Sequence, residues 1–109
     1  MSLFEPAEET SPKAPSDAVE TLINLAEQQL PAQAASGEYP VQHDHCFKRI
    51  AYDVAVGARW DADVRPPFYK NASPEQIHRA VEVLREMLAD PRRAAAYNRR
   101  SLRYRGERT

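Results

Sequence analysis

At 109 residues the chain holds one domain with a modest core and no room for a large substrate cavity. Its longest apolar runs are a few residues and its acidic start lacks the basic and apolar regions of a leader, so a soluble, cytoplasmic protein without a membrane segment is expected. The net charge of −1 conceals a polarity: residues 1–42 carry seven carboxylates (Glu5, Glu8, Glu9, Asp17, Glu20, Glu27, Glu38) against Lys13, and residues 43–109 carry fourteen Lys and Arg against nine Asp and Glu.

Residues 1–16 combine Glu5, Glu8 and Glu9 with Pro6, Pro12 and Pro15. That composition buries too little apolar surface to offset its ordering entropy, so a disordered acidic arm is predicted. Ser16 or Asp17 caps an amphipathic helix over 17–30, where Val19, Leu22, Ile23, Ala26 and Leu30 recur at helical spacing. Pro31 closes it, and residues 31–41, with Gly37 and Pro40, read as a linker.

The remainder, 42–109, reads as a three-helix body. With Asp44 as N-cap, Phe47, Ile50, Ala51, Val54 and Ala58 share one face of the first helix. The segment 59–72, with Trp60 and Pro66-Pro67-Phe68-Tyr69, has no period and reads as a packed aromatic loop. Ser73, Pro74, Glu75 and Gln76 spell a capping box, followed by a buried stripe of Ile77, Ala80, Val81, Leu84 and Leu88. Asp90-Pro91 repeats the cap-plus-proline device and opens an arginine-rich last helix. No run alternates as a strand does, and the fold class is all-α.

The last helix has the strongest functional character. Arg92, Arg99 and Arg103 return to one line of its surface, Arg93 and Arg100 lie a quarter-turn away, and Ala95, Asn98 and Leu102 fall on the opposite, core-facing side. Tyr97 and Tyr104 border the basic sector as stacking surfaces. Arginine forks beside aromatic faces suit phosphate and base contacts, so a non-enzymatic binding module for an anionic partner, a nucleic acid or an acidic protein surface, is expected. The 17–30 helix is expected to dock on this body or on another subunit, and a second reading is an adaptor or homodimer meeting its partner through it. A third is a small enzyme using Asp44, His45, Cys46 and Asp53 beneath the aromatic loop.

Asp53 lies at the edge of the apolar face, with two ways to be paired. Arg49 stands one turn away on the same helix, and the tail from Ser101 to Gly106 offers arginines for a bidentate contact. Cys46, the single cysteine, sits in the first turn, where the helix dipole favours a thiolate, yet at the border of the core, where thiols are buried and inert. Metal ligands would come from His43, Cys46 and His78, fewer than the four a closed zinc site takes, so no metal or cofactor is expected.

The frame His43-Asp44-His45-Cys46-Phe47, Arg49-Ile50, Asp53, Gly57, Trp60, Asn98-x-x-Ser101-Leu102 and Arg105-Gly106 resembles a group of small bacterial proteins of unassigned function, some labelled GCN5-type acetyltransferases. The likeness covers about residues 43–106. An acetyltransferase of that class implies a mixed α/β fold with a glycine-rich loop holding the acyl-CoA phosphates. Here the three glycines stand apart at 37, 57 and 106, and no catalytic residue is carried over.

Overall fold

The structure, a computed structural model, describes residues 16–106, so the arm expected over residues 1–16 lies outside the described residues except for Ser16. The elements are α1 (Ser16–Asn24), a π-helical turn (Leu25–Gln29), α2 (Leu30–Ala34), α3 (Asp44–Val56), α4 (Trp60–Asp63), α5 (Phe68–Asn71), α6 (Pro74–Ala89) and α7 (Pro91–Tyr104). The fold is all-α, with no strand among the described residues and no helix long and apolar enough to cross a membrane.

The body forms where α3, α6 and α7 pack on one another in all three pairings. Phe47, Ile50, Ala51 and Val54 of α3 meet Ile77, Ala80, Val83, Leu84 and Met87 of α6 in a single core. Each large side chain removed from water there contributes about 1.5–3 kcal/mol. The α6 start has the expected capping box: Ser73 Oγ accepts from the Gln76 N–H at 3.1 Å, and Gln76 Oε1 accepts from the Ser73 N–H at 2.8 Å. Met87 is fully buried and Leu88 only half so, which shifts the end of the α6 stripe by one residue.

Three local expectations are corrected. Pro31 does not end the first helix, since the helical path continues through Ala34. The preceding turn widens, with the Leu30 N–H reaching back to the Leu25 carbonyl, and this accommodates a residue that cannot donate and whose ring crowds the turn before it. Burial of Leu30 and Ala34 draws the continuation onto α6 and α3. The linker is therefore shorter, and it is pinned: Tyr39 is buried, and its hydroxyl lies 2.9 Å from the Met87 carbonyl and 3.1 Å from that of Leu88, at the end of α6. Finally, the N-cap of α3 is His43, one residue before the expected Asp44, whose Oδ1 instead accepts from the His45 N–H at 2.8 Å.

The amphipathic helix has its partner within the chain. Leu22, Leu25, Ala26 and Leu30 are buried in the same core, against α6 and α3. Of the two placements expected for this helix, it takes the one on the body. The loop over 59–72 is packed, as its composition predicts, and it also contains α4 and α5. Phe68 stacks on Tyr52 with ring centroids 3.9 Å apart, and Trp60 meets both edge-on.

Candidate functional site

The fixed point beneath α7 is Asp53, fully buried on α3. Arg105 grips it with two bonds, Nε to Oδ2 at 2.7 Å and Nη2 to Oδ1 at 3.0 Å. Ser101 Oγ donates to Oδ2 at 2.6 Å, and the Trp60 N–H donates to Oδ1 at 2.9 Å. Four donors satisfy the carboxylate, as a buried charge requires. Of the two pairings open to Asp53, the tail arginine forms it. Arg49 reaches past the carboxylate, donating to Ser101 Oγ at 2.9 Å and to Asn98 Oδ1 at 2.7 Å. Arg49, Asp53, Trp60, Asn98, Ser101 and Arg105, all within the frame noted in the sequence, thus come together as one network. It clasps α7 and the chain after it to α3 and α4, and its carboxylate is shut off from solvent.

This clasp sets the rotation of α7. Asp90 caps its start, accepting from the Arg92 N–H at 2.9 Å, and the Arg92 guanidinium, then that N–H, hold the Asp90 carboxyl below its ordinary range. The buried line is Ala94, Tyr97 and Ser101, while Ala95, Asn98 and Leu102, expected to face the core, are half-buried at its edge. Tyr97 is therefore not a surface ring. It is 7% exposed, its hydroxyl donates to Glu86 on α6, and the Arg100 guanidinium sits 5.9 Å over its ring. Burial, then the bond to Glu86, raises its phenol above the usual value. Tyr104 is half-buried and accepts from Arg100 Nε at 3.1 Å, so neither tyrosine stands free beside the arginines as a stacking platform.

The arginines themselves are outside. Arg92, Arg93, Arg99, Arg100 and Arg103 are all exposed. Arg92 pairs with Asp90 at 3.2 Å and Arg93 approaches Glu86 at 3.8 Å. Among the described residues, no carboxylate lies within 4.0 Å of Arg99, Arg100 or Arg103. Exposed guanidinium groups without a carboxylate partner are bidentate donors for phosphate or carboxylate oxygens.

The remaining predicted residues do not assemble. His43 and His45 stack with centroids 5.6 Å apart, both exposed, while Cys46 is half-buried in the first turn of α3 with its N–H on the His43 carbonyl at 3.0 Å. His78 lies on α6, lining a shallow groove with Asp17, Thr21 and Arg85. Among the described residues no three His, Cys, Asp or Glu side chains gather as metal ligands would. Sequence reasoning missed the roles of Ser101, Asn98 and the Trp60 N–H; the available signal was a carboxylate at the rim of an apolar face, which demands several donors.

Compared with known proteins, the chain matches no family model, no curated protein and no solved structure.

Proposed function

We propose that this protein is a non-enzymatic binding module whose α7 arginine face docks the phosphate backbone of a nucleic acid. The observation that carries the reading is the exposed group Arg99, Arg100 and Arg103, none paired with a carboxylate among the described residues, continued by Arg92 and Arg93 along the same helix. Cations with no carboxylate in reach among the described residues favour an external anion. Recognition is through phosphates and insensitive to base identity, since Tyr97 is buried and Tyr104 is engaged by Arg100.

The test is titration of a mixed-sequence single-stranded DNA and of a neutral-backbone analogue with the same bases at low salt. Binding of the charged strand alone is the expected result. Equal binding of both, or of neither, would remove the arginine face as a phosphate surface.

A further inference from the structure

A second surface, lined by no residue of α7, lies between α1, α3 and α5. Ile23, Tyr52, Trp60, Pro67, Phe68 and Tyr69 line a groove of about 500 Å³, with the Lys48–Glu27 ion pair, 2.5 Å long, at its wall. Its floor is finished, because Tyr52 and Phe68 are stacked and buried. Its rim is not. Trp60 is only half-buried, and Tyr69, at 46% exposed, is the exposed large hydrophobic side chain of the described residues. Aromatic and proline side chains around an open trough are the surface that extended, proline-bearing peptides use.

We propose that this groove receives the chain's own N-terminal segment Leu3-Phe4-Glu5-Pro6. Leu3-Phe4 is the pair of large apolar neighbours in residues 1–15, and Pro6 follows it two residues on, as in the proline-bearing peptides that such grooves take. Reach permits it. Ile23 lies seven residues into the helical path that starts at Ser16, about 10.5 Å along its axis, whereas the ten residues from Pro6 to Ser16 extend to about 33 Å. Charge favours it as well. Residues 59–72 beside the groove carry Arg59, Arg65 and Lys70 against Asp61 and Asp63; Asp61 pairs with Arg59, and Arg65 and Lys70 are exposed and outside any ion pair among the described residues, leaving a positive balance there, while Glu5, Glu8 and Glu9 follow the apolar pair. The proposal asks only that two side chains, Leu3 and Phe4, be buried on a preformed trough.

Trp60 is the single tryptophan, so its fluorescence reports on the groove directly. Removing residues 1–15 should shift its emission to longer wavelength and raise its quenching by acrylamide; adding the synthetic peptide of residues 1–15 to the shortened chain should reverse both. In the full chain, Leu3→Ser with Phe4→Ser should reproduce the truncation. Unchanged emission on truncation overturns the proposal. So does a shift caused by Glu5, Glu8 and Glu9→Gln but not by the Leu3 and Phe4 pair, which would send the arm to the arginine face. A shift that varies with protein concentration overturns it too, by assigning the groove to a second copy. Each outcome is independent of nucleic-acid binding.

Discussion

Asp53 follows Ile50 by three residues on α3, so its carboxylate enters the core beside a fully buried isoleucine. The sequence makes such a position conspicuous and offers it two partners. What it does not contain is the orientation of α7, which decides between them: once Asn98 and Ser101 turn inward, they take the Arg49 guanidinium and leave Arg105 for Asp53. Breaking a buried pair from one side leaves the other charge uncompensated, so Asp53→Asn is expected to cost about 3–5 kcal/mol in urea denaturation. Combining it with Arg105→Met should cost less than the sum of the two single changes, because the residues share one interaction. A second expectation concerns Tyr97. Tyr97→Phe should cost about 1 kcal/mol by losing the bond to half-buried Glu86, yet leave nucleic-acid affinity unchanged, since the ring is not on the surface.

Helix identity was readable wherever a period coincided with a cap, and α6 is the clearest case. Boundaries were less so. Pro31 signals a stop in local terms, but the π turn before it and the burial of Leu30 and Ala34 after it are tertiary effects with no local code. The last helix stands where its sequence places it but turned, because the bonds of Tyr97 to Glu86 and of Ser101 to Asp53 draw that edge inward and leave Ala95 and Leu102 half-buried. The end of α3 gives a clean test of a local rule. Gly57, at φ +85°, closes the helix by donating to the Asp53 carbonyl, and a Cβ there would meet nothing within 4 Å. Gly57→Ala should therefore cost about 1–2 kcal/mol from backbone strain alone, and Gly57→Asn less, as chemical denaturation would measure.

At the scale of the molecule, the N-terminal helix is part of the core, so α1 to α7 are expected to unfold together. Three tyrosines give that unfolding an alkaline limit. Burial raises the phenols of Tyr39, Tyr52 and Tyr97 above the ordinary 10.0, helped by Asp90 at Tyr39, by Glu27 at Tyr52 and by the Glu86 bond at Tyr97. The folded chain keeps these protons where the unfolded chain releases them. Their contribution is whole below pH 10.0 and is lost as pH rises through the folded values, so the thermal midpoint should fall steadily above pH 10, with phenolate absorbance rising as the chain unfolds.

The arginine face was legible as composition and spacing, and the structure changes its chemistry by withdrawing the tyrosines from it. What remains is an electrostatic surface, and the docking proposed for it would show as release of condensed counterions from the bound strand. The decisive measurement is the affinity for a single-stranded DNA across a salt series, for the native chain and for Arg99→Gln with Arg103→Gln. Both side chains are exposed, so the double variant should keep the native thermal midpoint. Its slope of log affinity against log salt should become shallower by roughly one to two units, with the loss shared equally among strands of different sequence. An unchanged slope, or a loss confined to one sequence, would contradict phosphate docking on α7.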